Sequence, residues 1–186
     1  MPVVSITNPA SVCAPGTVDL TASAVTAGST NVSTYSYYTD AAGTITLSNP
    51  NAVATSGTYY IKGTSAAGCA GVIKSVIVTV NPLPVLSITN PAAVCSPVTV
   101  DLTASAVTAG STNVSTYSYY TDAAGTITLS NPNAVATSGT YYIKGTSAAG
   151  CSGAIKPVVV TVTPAPTAVA GAPVSTCANS GAVNIT

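Results

Sequence analysis

Apolar and polar residues alternate with a period of two over much of this chain, and that pattern predicts β-strands. In residues 17–24, for example, Val18, Leu20 and Ala22 fall on one face of an extended backbone and polar residues on the other. A shift of one residue would exchange the two faces, so the register of such a strand is well specified. Strand-favouring Thr, Val, Ile and Tyr are frequent, whereas Glu and Arg, which favour helices, are absent.

Seven short strands are predicted within the first 82 residues, with Gly, Asn, Pro and Ser between them. Lettered A to G in order, they cover residues 3–7, 17–24, 33–39, 44–48, 52–56, 58–65 and 71–80. Seven short strands at this spacing are typical of a sandwich of two sheets. We therefore predict an all-β chain built from β-sandwich domains.

The chain repeats itself with a period of 82 residues. Residues 17–69 recur without a single change as residues 99–151, and Cys177 lies one further period beyond Cys95. This period exceeds the roughly 20–50 residues of solenoid repeats, so it indicates small self-contained domains in tandem, arranged end to end. We expect a piece of a longer array, whose two repeats and N-terminal stub of a third occupy residues 1–82, 83–164 and 165–186.

Charged residues are scarce: there are four Lys, four Asp and a net charge of zero in 186 residues. No basic surface is available for nucleic acid, so a nucleic-acid partner is not expected. No apolar run approaches the roughly 18 residues of a spanning helix, so no membrane span is expected. Near-zero net charge gives little mutual repulsion and favours contact with other copies or fibre chains.

Residues 56–61, Ser-Gly-Thr-Tyr-Tyr-Ile, resemble the strand F signature of immunoglobulin-like domains. In that family, a Tyr two residues before the second Cys forms the tyrosine corner. The resemblance assigns this role to Tyr59 and Tyr141. Ile61 and Ile143 stand where the family has its Cys, so the usual disulfide between strands B and F is not expected.

The whole repeat is similar to the Ig-like repeats of giant Bacteroidota surface proteins, including gliding-motility adhesins exported by type IX secretion. The similarity rests on residues 8–13, 18–22, 37–42, 56–62 and 68–69. It implies tandem Ig-like β-sandwich domains in an extracellular filament at the cell surface. By the same resemblance, Tyr38 and Tyr120 on strand C are expected to replace the core Trp of the Ig family.

The residue types that usually carry out catalysis are missing, since the chain has no His, Glu or Arg. The carboxylates of each repeat, Asp19 and Asp40 in the first, are interpreted as a surface residue of strand B and a turn former. Two isolated carboxylates are too few for Ca²⁺, and no phosphate-binding loop is present. Neither an enzyme activity nor a metal or cofactor is expected.

Tyrosine is the residue type that favours a binding hypothesis. Tyrosines predicted on the outer faces of strands C and F are candidates for stacking a surface polysaccharide: Tyr35, Tyr37, Tyr60, Tyr117, Tyr119 and Tyr142. We favour a structural role over glycan binding, because cross-strand aromatic pairs stabilise a sheet by about 0.2–1 kcal/mol.

Five cysteines without His or a CxxC motif indicate disulfides and an oxidising, extracellular location. Cys13 precedes strand B and Cys69 follows strand F, so an Ig-like strand order places them at opposite ends of one repeat, roughly 23 Å apart. Two repeats stacked end to end would instead bring Cys13 to Cys151.

On that pairing, Cys69, Cys95 and Cys177 lack partners within this chain. An altered strand order would allow the alternative, Cys13 with Cys69 and Cys95 with Cys151.

Two functions fit these features. The first is a structural spacer of a long extracellular adhesin or filament, serving surface attachment or gliding, with neighbouring repeats as partners. The alternative is an accessory Ig-like module of a secreted polysaccharide-degrading enzyme. Near-identical tandem copies favour the first, because spacers add length without chemistry.

Overall fold

The computed structural model describes residues 1–166. The expected stub of a third repeat, residues 165–186 with Cys177, lies outside the described residues except for its first two. The described part contains ten β-strands and no helix, so it offers no helix that could cross a membrane. The prediction of an all-β chain is confirmed.

The two repeats have the same five strands in the same order. In the first repeat these are β1 (Val12–Cys13), β2 (Thr34–Tyr38), β3 (Gly57–Thr64), β4 (Lys74–Val78) and β5 (Val80–Asn81). In the second repeat they are β6 (Val94–Cys95), β7 (Thr116–Tyr120), β8 (Gly139–Thr146), β9 (Lys156–Val160) and β10 (Val162–Thr163).

One regular sheet forms the framework of each repeat. In the first repeat, β2, β3 and β4 pair antiparallel in that order, with Ile61 of β3 opposite both Tyr37 and Lys74. The facing layer is held by isolated bridges, Val3 with Thr30 and Val18 with Val53. The repeat is therefore a sandwich with one continuous sheet and one interrupted layer.

The prediction for strand B, residues 17–24, is wrong beyond Leu20. Val18 pairs with Val53, and the Leu20 N–H still donates to the Pro50 carbonyl, but turns follow from Leu20 onwards. The Asp19 carboxylate accepts hydrogen bonds from the backbone N–H and the hydroxyl of Thr21, at 2.8 and 2.6 Å. Such a local side-chain bond competes with a strand ladder and diverts the backbone.

The N-terminal segment also differs from its prediction. Only Val3 of residues 3–7 forms a bridge, whereas the unpredicted β1 (Val12–Cys13) pairs parallel with β5 (Val80–Asn81). A two-residue strand is too short to show a period in the sequence. Its position matters, because it brings Cys13 beside the C-terminal end of the repeat.

Each repeat has its own small apolar core. Leu20, Ile61 and Val76 are fully buried in the first repeat, and Val4, Val18, Val25, Val53 and Val78 complete the cluster. The second repeat has the equivalent cluster around Leu102, Ile143 and Val158. Burying one such side chain contributes about 1.5–3 kcal/mol, so a core of this size is modest.

Candidate functional site at the joint between the repeats

Cys13 lies where the chain leaves the first repeat. The parallel pairing of β1 with β5 places Cys13 opposite Asn81, and the Ala14 N–H donates to the Asn81 carbonyl at 2.9 Å. Asn81 is followed directly by the linker, residues 82–84. The first cysteine of repeat 1 is thereby fixed at the C-terminal end of that repeat.

Cys151 lies where the chain enters the second repeat. It closes the turn after β8, because the Ser147 N–H donates to the Cys151 carbonyl and the Cys151 N–H donates to Ser147 Oγ, at 2.9 and 3.2 Å. Two residues on, a Cβ added at Gly153 would meet the Pro84 carbonyl oxygen at 2.6 Å. Only glycine permits this close approach, which packs the cysteine loop against the incoming linker.

A disulfide joins Cys13 to Cys151 across the two repeats, with the two Cα atoms 5.6 Å apart. This separation lies within the roughly 4.4–6.8 Å that a disulfide permits. Cys151 is 1% exposed, so its sulfur is covered at the joint. The inter-repeat pairing is the one present, and the alternative pairs, Cys13 with Cys69 and Cys95 with Cys151, are not formed.

A hydrogen bond strengthens the same joint. The Asn113 side-chain amide donates from Nδ2 to the Pro82 carbonyl at 2.8 Å, and Asn113 adopts a φ of 57°. Asparagine tolerates this left-handed conformation better than most residues. We refer to Cys13, Asn81, the linker residues 82–84, Asn113 and Cys151 together as the joint.

Sequence reasoning missed Asn113 and its equivalent in the first repeat, Asn31. A loop asparagine belongs to no sequence pattern that would predict a contact with a linker. The parallel β1–β5 pair was missed because strands of two residues are too short to show a period in the sequence.

The other two described cysteines are free and exposed. Cys69 is the counterpart of Cys151 and lies at the N-terminal end of repeat 1. Cys95 is the counterpart of Cys13 and lies at the C-terminal end of repeat 2, opposite Thr163 in the pairing of β6 with β10. The Thr163 hydroxyl donates to the Cys95 sulfur at 3.3 Å.

The predicted outward position of the strand C tyrosines is wrong for four of the six glycan candidates. Tyr35 and Tyr37 lie opposite Gly63 and the fully buried Ile61, and both pack against the core of repeat 1. Directly opposite residues of an antiparallel pair share a face of the sheet. The same holds in repeat 2 for Tyr117 and Tyr119.

Tyr38 lies on the other face of the sheet, opposite Tyr60. It is therefore not the core aromatic that was expected to replace a Trp, and in repeat 2 neither is Tyr120, which lies opposite Tyr142. Tyr37 and Tyr119 face the core instead. Tyr60 and Tyr142 are left as the half-buried members of an outer-face aromatic pair.

The remaining expected tyrosine role concerns the corner after strand E. The Tyr59 hydroxyl donates to the Thr55 carbonyl at 3.0 Å, and the Tyr141 hydroxyl donates to the Thr137 carbonyl at 3.0 Å. Each bond reaches four residues upstream and fixes the turn into β3 or β8. This is the geometry of a tyrosine corner.

The carboxylates are engaged in local structure. Asp40 accepts from the backbone N–H groups of Ile45 and Thr44, at 2.7 and 3.0 Å, and closes the turn between β2 and the next bridge. The Ile45 hydrogen bond is the main reason that the pKa of Asp40 lies below its ordinary value. The Thr21 hydroxyl has the same effect on the pKa of Asp19. Within residues 1–166 there is no cluster of three His, Cys, Asp or Glu residues that could hold a metal.

Two tandem matches assign the chain to a family. The sequence profile described as "Ig-like domain CHU_C associated" matches residues 1–82 and again residues 83–164. The chain therefore belongs to the family of CHU_C-associated Ig-like domains. A comparison with curated proteins gives no match.

Three solved structures show a low similarity to this chain. Extracellular domains 3–5 of Drosophila OTK have 17% identity and a TM-score of 0.42 over 70% of this chain, which spans 51% of that chain. The fibronectin(III)-like modules of Clostridium thermocellum CbhA have 16% identity and a TM-score of 0.36, covering 88% of this chain and 95% of theirs. The titin domains z1z2, solved in complex with telethonin, have 15% identity and a TM-score of 0.30, covering 74% and 84%. The family assignment rests on the sequence match and not on these likenesses.

Proposed function

We propose that this chain is a structural spacer of a long extracellular adhesin or filament at the cell surface. The observation that carries the proposal is the disulfide between Cys13 and Cys151, which adds a second covalent connection to the peptide linker between the repeats. Two separate connections across one joint restrict bending and twisting. Restricted bending is what a stalk needs if it is to hold a binding tip away from the cell.

The uniformity of the repeats supports the same role. Over residues 17–69 and 99–151 the two units are identical, so within these stretches neither carries a side chain that the other lacks. Identical units in series extend a fibre without changing what it binds. The half-buried, hydrogen-bonded tyrosines and the turn-forming carboxylates are accounted for by the fold itself.

Removal of one repeat from the full-length surface protein tests the proposal. We expect the fibre, measured by electron microscopy of labelled cells, to shorten by one repeat length while adhesion to the same substrate persists. A matched variant with the repeat restored in a shuffled-codon gene controls for genetic damage. Loss of ligand recognition upon removing a single identical repeat would contradict a spacer role.

A reductant experiment tests the stiffness on which the proposal depends. In small-angle scattering, the oxidised chain should have a narrow distribution of distances between its repeats, and reduction of the Cys13–Cys151 bond should broaden it. An unchanged distribution would mean that the linker and Asn113 suffice, and that the disulfide serves another purpose.

A further inference from the structure

Two short stretches of the chain lead through the two repeats and meet at the disulfide. Residues 3–13 run up to Cys13, and residues 151–163 run on from Cys151. The residues between the two cysteines, 14–150, form a loop that the disulfide closes. We propose that the two stretches and the disulfide together carry mechanical tension along the chain, so that the tension bypasses residues 14–150 and leaves both repeats folded.

The first stretch crosses repeat 1 from its entrance to its exit. At the entrance, a Cβ added at Gly71 would meet the Pro2 carbonyl oxygen at 2.7 Å, and at the exit Cys13 pairs with Asn81. Eleven residue steps lead from Pro2 to Cys13, and ten lead from Gly71 to Asn81 along β4 and β5. Because the strand at its side needs ten steps for the same distance, the first stretch is nearly as extended as a β-strand.

The second stretch crosses repeat 2 in the same direction and consists largely of β9 and β10. It begins at Cys151, close to the Gly153 backbone that packs against Pro84. It ends at Thr163, which lies opposite Cys95. A strand rises about 3.2–3.4 Å per residue, and a fully extended chain about 3.3–3.6 Å. Both stretches can therefore lengthen only slightly under tension.

The path through the disulfide is far shorter than the path along the backbone. Ten residue steps lead from Val3 to Cys13 and twelve from Cys151 to Thr163, and the disulfide adds 5.6 Å between Cα atoms. This path can extend to about 85 Å at most, whereas the 160 steps of backbone from Val3 to Thr163 can extend to roughly 530–580 Å. The shorter path becomes taut first, so it carries the load.

The core residues lie mainly in the loop that carries no load. Leu20, Ile61 and their counterparts Leu102 and Ile143 are fully buried, and all four lie within residues 14–150. Tension favours unfolding only as far as unfolding lengthens the molecule between its points of attachment. Unfolding this loop lengthens nothing, because its two ends are fixed at the disulfide.

A load-bearing path of this kind extends the proposed spacer role, on which its biological use rests. A stalk that unfolded under tension would lengthen and lose the distance that it sets between the cell and its binding tip. The mechanical behaviour itself is a property of the isolated chain. Its failure in a pulling experiment would leave the fibre-length test of the spacer role unaffected.

Single-molecule pulling at constant force tests the path. Handles are attached to the two termini of the full chain, which carries Cys69→Ser, Cys95→Ser and Cys177→Ser to prevent disulfide exchange. At a force at which the reduced chain unfolds, we expect the oxidised chain to show no step the size of a repeat. The matched variant Cys13→Ser should lengthen further than the oxidised chain by about 460–500 Å, the length of 138 residue steps. Equal lengthening of the two proteins would overturn the proposal.

Reduction under load shows whether the repeats stay folded behind the disulfide. A phosphine reductant is added while the oxidised chain is held at the same force. We expect cleavage of the disulfide to be followed by two separate unfolding steps of about 230 Å each, because both repeats are still folded when the load reaches them. A single jump of about 460–500 Å at the moment of cleavage would mean that the repeats had already unfolded, and would overturn the proposal.

A second pulling geometry separates the load path from simple stabilisation by the disulfide. Handles are attached in exposed turns through Ala66→p-azidophenylalanine and Ala148→p-azidophenylalanine. The shorter covalent path then has 53 residue steps from Ala66 to Cys13 and three from Cys151 to Ala148, so it can open to about 190–210 Å. We expect the oxidised chain to unfold in this geometry with a step of at least about 100 Å. No unfolding at the force that unfolds the reduced chain would show that the disulfide stabilises the repeats without diverting the load, against the proposal.

Discussion

Reduction of the Cys13–Cys151 disulfide should destabilise both repeats, although the bond lies between them. If repeat 2 unfolds while repeat 1 stays folded, Cys13 remains held beside Asn81. The unfolded segment from Asn81 to Cys151, about 70 residues, is then closed into a loop whose ends are both attached to the folded neighbour. Without the disulfide, the same segment has one free end.

The magnitude follows from the entropy of loop closure. A closed loop of about 70 residues corresponds to about 4 kcal/mol in the chain-entropy model. If repeat 1 unfolds instead, the loop runs from Cys13 to the linker at Pro84, which packs against the Cys151 loop, and has nearly the same length. One disulfide therefore stabilises each repeat by about 4 kcal/mol.

The two contributions are not additive. If both repeats unfold, the closed loop spans 138 residues and the disulfide contributes only about 5 kcal/mol in total. The oxidised chain should thus unfold its repeats more cooperatively than the reduced chain, because the disulfide opposes the first unfolding event by about 4 kcal/mol and the second by only about 1 kcal/mol. Two-state analysis of a single melting curve would hide this.

Hydrogen exchange with mass spectrometry measures each repeat separately, because β4 (Lys74–Val78) and β9 (Lys156–Val160) differ in sequence and give distinct peptides. Oxidised and reduced protein are compared in a background in which Cys69, Cys95 and Cys177 are serine. We expect a loss of about 4 kcal/mol in both peptides upon reduction. A loss confined to one repeat, or below about 1 kcal/mol in both, would refute the loop-closure argument.

Three further predictions use repeat 2 as an internal reference for changes made in repeat 1. Tyr59→Phe removes the hydrogen bond to the Thr55 carbonyl and should cost about 0.5–1.5 kcal/mol of unfolding free energy in urea titration; no loss would make the corner dispensable. Leu20→Ala empties a fully buried site and should cost about 2–5 kcal/mol, with accelerated exchange in β4 but not in β9. Asp40→Asn should flatten the acid limb of the stability curve: the Ile45 hydrogen bond lowers the folded pKa, so its stabilisation is complete above the unfolded pKa near 3.8 and is lost as pH falls through the folded value. If thermal melts below about pH 3.8 show the same loss of stability in the variant as in the parent, the assignment is contradicted.

Periodicity was sufficient to predict the framework sheet. β2 falls within the predicted strand C, and β3 agrees with the predicted strand F to within one residue at each end, because long alternating runs of Tyr, Ile and Thr leave little ambiguity about an extended backbone. Periodicity was not sufficient to predict which tyrosines face the core. Tyrosines occur at positions 35, 37 and 38, so both faces of strand C carry an aromatic residue and the pattern alone cannot choose.

Tertiary pairing makes that choice. Tyr37 lies opposite Ile61 of β3, which is fully buried. The burial of Ile61 therefore determines which face of β2 points toward the core. The alternating pattern likewise could not predict where strand B ends. The pattern continues to Ala22, but the hydrogen bond from the Thr21 N–H to the Asp19 carboxylate diverts the backbone before that residue.

The disulfide could be predicted from the sequence because the argument needed only the chain direction and an Ig-like strand order. A cysteine before strand B and another after strand F lie at opposite ends in the Ig-like order, whatever the details of packing. The contacts that complete the joint needed coordinates. Nothing in the sequence around Asn113 or Pro82 indicates that an amide on one repeat would reach a carbonyl in the linker.

The choice of an inter-repeat bond over an intra-repeat one has a thermodynamic logic. A bond from Cys13 to Cys69 would close 57 residues and stabilise one repeat by about 4 kcal/mol. The bond to Cys151 gives a repeat nearly the same entropic stabilisation, because the folded neighbour serves as the other anchor. Both schemes use two cysteines per repeat in an extended array. Only the inter-repeat scheme also constrains the joint, and so a repeat with a modest core and almost no charge obtains its stability from the same bond that stiffens the connection to its neighbour.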